Sequence, residues 1–156
     1  MTTRVAIRSV TFPNRYVRLD GQGVTSQTGS GGGTVNTQTF IGTYETFILQ
    51  RNDDGTVSFG STVFKDVFIR MQASGVPKGE NVSGGGGVVN AQFTARSLEK
   101  FHIRQKESTP GTYQGVVGIE SAESAGRFLR LDGNAGKVNV QGVFKTYEEF
   151  EIVVVG

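Results

Sequence analysis

Cysteine and tryptophan are absent from this 156-residue chain, histidine occurs once and proline three times. Without cysteine there is no disulfide framework, no zinc–thiolate site and no thiol nucleophile, so the fold is held by packing alone. That suits a reducing compartment without requiring one. The single histidine, His102, has no repeated partner, and a Ser-His-Asp triad cannot be assembled around it. Long apolar runs are missing too, and none approaches the roughly 20 residues of a membrane span. The opening MTTRVAIRSVTF has neither the apolar segment nor the small-residue cleavage site of a secretory signal. As written the chain is expected in the cytoplasm; secretion behind a trimmed leader is the other reading. An excess of one charge is missing as well, with 16 basic residues against 14 acidic ones. The net charge is +2 and the bases are scattered, which argues against the clustered patch that tracks nucleic-acid phosphates.

Glycine is what the chain has in quantity, at 23 residues. With so few prolines, this points to many tight turns between short strands rather than to long helices. The length fits one domain, residues 1–156, able to bury roughly 70% of the surface its unfolded chain would expose.

One phrase is written three times. VAIRSVTFPNRYVRLDG, VSFGSTVFKDVFIRMQASG and VGIESAESAGRFLRLDG align so that Ser9, Ser61 and Ser121 coincide, as do Tyr16, Phe68 and Phe128, and Arg18, Arg70 and Arg130. A second phrase follows each: TVNTQTFIGTYETFIL, VVNAQFTARSLEKFHI and KVNVQGVFKTYEEFEI. It aligns Asn36, Asn90 and Asn139, then Gln38, Gln92 and Gln141, then Glu45, Glu99 and Glu148. A recurrence near every fifty residues is repeat architecture and decides the fold before any local feature does. Within the copies the apolar period is two, and Asp54-Gly55 is a hairpin turn signal, so each copy reads as about four short strands. SLEKFHIRQKES has a brief helical look, but its register against TYETFIL makes it a strand.

Three copies of four strands resemble the β-trefoil. VNTQTFIGTYETFILQRNDDGTVSFGS and VVNAQFTARSLEKFHI resemble the fascin-like (actin-crosslinking-like) repeat, while IRSVTFPNRYVR and GIESAESAGRFLR resemble the arabinofuranosidase-B type carbohydrate-binding module. The resemblance implies an all-β fold of three pseudo-symmetric repeats, about 4–52, 56–106 and 115–156. The arabinose-binding modules place a histidine after the Arg-bearing strand; here those positions hold Leu19, Met71 and Leu131. Fascins that bundle actin carry several tandem trefoils, whereas this chain has one.

The repeated residues sort by chemistry. Ile7/Phe59/Ile119, Val17/Ile69/Leu129, Leu19/Met71/Leu131 and Phe47/Phe101/Phe150 recur as a core shared by three copies requires. Arg18, Arg70 and Arg130 with Glu45, Glu99 and Glu148 read as ion pairs at exposed strand ends, each worth about 0–1 kcal/mol; ligand contact is the competing reading. Asn36 with Gln38, Asn90 with Gln92 and Asn139 with Gln141 put two amides on one strand face, suited either to vicinal sugar hydroxyls or to the backbone of a neighbouring loop. Asp20, Gln72 and Asp132 follow the Arg-bearing strand, where a side-chain oxygen serves a turn or accepts from a sugar. Tyr44 and Tyr147 offer rings for stacking on a pyranose, with Leu98 in the same place in the second copy. The spacers GQGVTSQTGSGGG and SGVPKGENVSGGGG are long and Gly-rich, while the third copy turns back through DGNAGK.

These residues point to a non-enzymatic, lectin-like module with up to three related sugar sites, no cofactor and no metal. The alternative is a fascin-like protein that docks on actin or another protein through bases such as Arg4, Arg15, Lys65 and Lys78. No nucleophile–base pair and no acid–base carboxylate couple stands out, and SGGGGVVNA lacks the Lys-Ser/Thr of a phosphate loop.

Overall fold

The computed structural model describes residues 2–106 and 115–156, and these form twelve strands with no α-helix among them. The strands are β1 (Thr3–Ser9), β2 (Tyr16–Asp20), β3 (Thr34–Gln38), β4 (Phe47–Arg51), β5 (Val57–Ser61), β6 (Val67–Gln72), β7 (Val88–Phe93), β8 (Phe101–Gln105), β9 (Val117–Ser121), β10 (Phe128–Asp132), β11 (Lys137–Gln141) and β12 (Phe150–Val154). Short 3-10 turns at Thr43–Glu45, Ser97–Glu99 and Thr146–Glu148 precede β4, β8 and β12. SLEKFHIRQKES thus divides into a 3-10 turn and β8, and its last residues, 107 and 108, lie outside the described ones.

All strand pairings are antiparallel, and their pattern repeats every four strands. β1 pairs with β2, β4 and β12; β5 pairs with β6, β8 and β4; β9 pairs with β10, β12 and β8. The order β1-β4-β5-β8-β9-β12 therefore closes on itself as a ring, which removes the free edges an open sheet would leave. Three hairpins, β2–β3, β6–β7 and β10–β11, stand off the ring.

The twelve apolar residues that recur by threes are all buried to 1% exposure or less. Each contributes roughly 1.5–3 kcal/mol of transfer free energy. Phe59 packs against two of the others, with ring centroids 6.3 Å from Phe47 and 6.0 Å from Phe101. The turns follow from local chemistry. Ser9, Ser61 and Ser121 each end a strand and accept, at 2.9 Å, the N–H of the residue three further on, which bends the chain into the next strand. Gly55 takes a φ of +85° in the β4–β5 turn, a region that L side chains avoid, so the Asp-Gly signal marks a real turn.

Candidate functional site

Each hairpin carries the same polar pair across its two strands. Arg18 lies opposite Asn36, Arg70 opposite Asn90 and Arg130 opposite Asn139, and the guanidinium Nη1 donates to the amide Oδ1 at 3.4, 3.3 and 3.3 Å. Directly opposed residues on one face of an antiparallel pair interact in this way, and the glutamine two residues on shares that face.

Above each pair sits a 3-10 turn whose final glutamate is buried. Glu45, Glu99 and Glu148 accept the N–H of Gly42, Arg96 and Lys145 at 2.7, 2.8 and 2.8 Å, closing the turn in the manner of a capping box. The sequence suggests Arg–Glu pairs on the exterior; the structure corrects this. Arg70 and Arg130 are only 5% and 7% exposed, and all three glutamates are buried. The short separation belongs to the first copy, with Arg18 Nε 3.9 Å from Glu45 Oε2. Alternation predicts the arginine's direction correctly, but a loop closes over Arg70 and Arg130, whereas Arg18, with the same 3-10 turn and no such loop, keeps a side-chain exposure of 24%.

Burial raises the Glu99 and Glu148 carboxyls above their ordinary value of 4.5, against the pull of the capping N–H and of Arg70 and Arg130 respectively. A carboxyl that holds its proton more tightly when folded contributes stability that is complete below the unfolded pKa. That contribution is lost as pH rises through the folded value. Glu148→Gln keeps the acceptor oxygen and never ionises, so its stability relative to the parent should improve as pH is raised from about 4 to about 7. Urea unfolding of both proteins across that range checks it, and a constant difference would contradict the assignment.

The aromatic and acidic positions have local partners as well. The Arg18 guanidinium lies 5.0 Å from the Tyr44 ring centroid, and Arg130 lies 5.0 Å from that of Tyr147. These are cation–π contacts, which occupy the rings. Asp20 and Asp132 accept backbone N–H groups of Gln22 and Asn134 at 3.0 and 2.9 Å, and Gln72 accepts that of Ser74 at 2.6 Å. All three shape the turn that follows their strand.

The amides are where the copies differ. In the second copy Gln92 accepts the N–H of Thr28 at 3.2 Å and donates to its carbonyl at 2.7 Å, while Asn90 donates to the Ser30 carbonyl at 3.0 Å. In the third, Gln141 accepts the N–H of Val82 at 2.7 Å and donates to its carbonyl at 2.8 Å, while Asn139 donates to the Gly84 carbonyl at 2.9 Å. Each Gly-rich loop thus docks on the hairpin of the next copy, residues 21–33 on β6–β7 and residues 73–87 on β10–β11. Backbone bridges Gly32 to Ala91 and Gly86 to Val140 complete the contact. The third loop, residues 133–136, is too short to do the same to β2–β3.

The first hairpin therefore keeps an open cleft. It measures about 420 Å³ and is lined by Arg18, Gln38, Phe40, Thr43, Tyr44 and Glu45. Its counterpart in the third copy, narrowed by Asn81, Val82 and Gly84, measures about 210 Å³. Asn36 and Gln38 are half-buried rather than covered. Phe40, at the rim, is 58% exposed. Phe40 and Thr43 are the lining residues that the sequence reading passes over. The available signal is a break in the repeat, since Phe40 aligns with Thr94 and Val143.

No protein-family model matches the chain, and no curated protein matches it in sequence. Solved structures do match. The chain is similar to SeviL in its complex with asialo-GM1 saccharide, with a TM-score of 0.62 at 11% identity over 97% of each chain. The all-β chain fits a β-trefoil-like fold. It is similar also to a salivary protein from Culex quiquefasciatus of the Cysteine and Tryptophan-Rich family, with a TM-score of 0.67 at 13% identity over 98% of this chain and 94% of that one. A third likeness is to the GlcNAcα1-4Gal-releasing endo-β-galactosidase from Clostridium perfringens. There the TM-score is 0.65 at 7% identity, over 99% of this chain and 33% of the enzyme. At such identities the likeness is one of fold, and two of the three proteins are described by the sugars they hold or release. Among the described residues, no helix is long and apolar enough to cross a membrane.

Proposed function

We propose that the chain is a single β-trefoil domain of three pseudo-symmetric repeats that binds carbohydrate without chemically altering it, through the open cleft of the first repeat. One observation carries this reading. Gln92 and Gln141 each grip the N–H and the C=O of a single residue, a donor and an acceptor borne on adjacent carbons. Neighbouring hydroxyls on a sugar ring present the same vicinal pair, and Gln38 is the matching amide with no loop against it. Arg18, clamped between Tyr44, Asn36 and Asp20, fixes the floor of the cleft. Phe40 supplies the free apolar ring against which a pyranose face packs. Asn36 and Gln38 contact the sugar in this reading; Tyr44 and Asp20 hold the groups that do.

A glycan array that includes the asialo-GM1 saccharide tests the proposal. The parent protein should bind one or more glycans, and Gln38→Ala and Phe40→Ala should each weaken binding at least tenfold, about 1.4 kcal/mol or more. Absence of signal across the array at high protein concentration would remove it.

A further inference from the structure

The loop at residues 73–87 does in the third repeat what no described residue does in the first. Its Val82 and Gly84 sit on Gln141, Asn139 and Arg130, with the Arg130 Nη1 donating to the Gly84 carbonyl at 3.1 Å and Asn139 Nδ2 doing so at 2.9 Å. Those three residues, with Tyr147, are the counterparts of Arg18, Asn36, Gln38 and Tyr44. Arg130 and Gln141, which hold this stretch of loop, are the counterparts of Arg18 and Gln38, which line the open cleft of the first repeat, and Asn139 is the counterpart of Asn36, which accepts from Arg18. The loop backbone imitates the vicinal donor and acceptor of a ligand.

We propose that this loop is a plug, and that the third repeat carries a latent carbohydrate site that opens when the loop lifts. The proposal rests on the carbohydrate reading of the first cleft. The way the loop is held supports it. At its base Val76 is buried and the Val76 carbonyl accepts from Arg127 Nε at 2.9 Å, so the near end is pinned. From Lys78 to Gly84 every residue but Val82 is exposed, so the far end is held by polar contacts, among them the Gly79 N–H donating to the Gly142 carbonyl at 2.8 Å, with Val82 its one apolar anchor. The seating also depends on a backbone only glycine accepts easily. Gly85 has a φ of +70°, and a Cβ there would lie 2.5 Å from Asn139 Oδ1 and 2.8 Å from Arg130 Cδ. The second repeat is plugged in the same manner by residues 21–33, but it has Leu98 where the other two have a tyrosine, so the proposal does not extend to it.

Gly85→Ala separates the plug from the cleft without altering any residue of the first site. Calorimetric titration with the asialo-GM1 saccharide, or with the glycan that binds most strongly on the array where that is a different one, should count one site in the parent protein and two in Gly85→Ala. Adding Gln141→Ala to that variant should return the count to one. Hydrogen exchange at the Gly86 and Val140 amides, which bridge loop to strand, reports whether the loop has lifted. Should Gly85→Ala fold poorly or keep its loop seated, replacing residues 73–87 by the Gly-Asn-Ala-Gly turn of residues 133–136 removes the plug outright. A single site in a variant whose loop has lifted or been removed overturns the plug while leaving the first cleft standing. Two sites in the parent also overturn it. No binding by the parent is instead a failure of the underlying carbohydrate reading, and the plug falls with it.

Discussion

Phe59→Ala should lower the free energy of unfolding by about 3–5 kcal/mol, the range for emptying a fully buried aromatic site. The position is severe for a topological reason. Phe59 lies on β5, one of the three strands with three partners, and its ring sits between Phe47 of the first copy and Phe101 of the second. Removing it therefore loosens two copies at once, and the closed ring of strands restricts collapse into the space. Measured against the 5–15 kcal/mol that domains of this kind possess, such a loss leaves little margin. Urea unfolding followed by far-ultraviolet circular dichroism gives the number. A loss below about 1 kcal/mol would mean that the site relaxes freely, which a core shared between copies does not permit.

The second large effect is a contrast between equivalent residues. Gln141→Ala should cost about 1–3 kcal/mol, because the Val82 N–H loses its acceptor and the Val82 carbonyl loses its donor at the foot of a docked loop. Gln38→Ala should stay within about 0.5 kcal/mol of the parent. Among the described residues its amide accepts only from the adjacent Thr39, at 2.9 Å from the N–H and 3.4 Å from the hydroxyl, and water replaces it readily. The same substitution in the same place of two repeats should thus separate a residue that stabilises from one that is available to a ligand. Midpoints of urea unfolding for the two variants decide it. Equal shifts would mean that loop docking is not what distinguishes the copies.

The core was legible because burial imposes a period. Ile7, Phe59 and Ile119 must face inward together, so their spacing survives in the sequence, and the strands around them follow. The repeated serines were visible but mute, since nothing in a linear reading says that a hydroxyl reaches the N–H three residues ahead. The amides were legible only as alternatives. Asn90 and Asn36 look alike in sequence, and what separates them is the length of a loop belonging to a different copy. Phe40 was missed for the converse reason: alignment of repeats rewards what recurs, whereas an open site in one copy is marked by what does not. Of the expected Arg–Glu pairs the first is present, between Arg18 and Glu45, while Arg70 and Arg130 lie under cover, because alternation along a strand says which face a side chain takes, not whether another segment closes over that face.

The pairing of β1 with β12, which sets Val5 against Val154, has a consequence for how the protein is made. During translation the first strand emerges long before β12, and until β12 follows it has only β2 and β4 to lie against. Ring closure accordingly waits for the last of the twelve strands and joins segments far apart in sequence. Contacts of such long sequence separation form slowly, which leaves the nascent domain with an unsealed seam until β12 is in place.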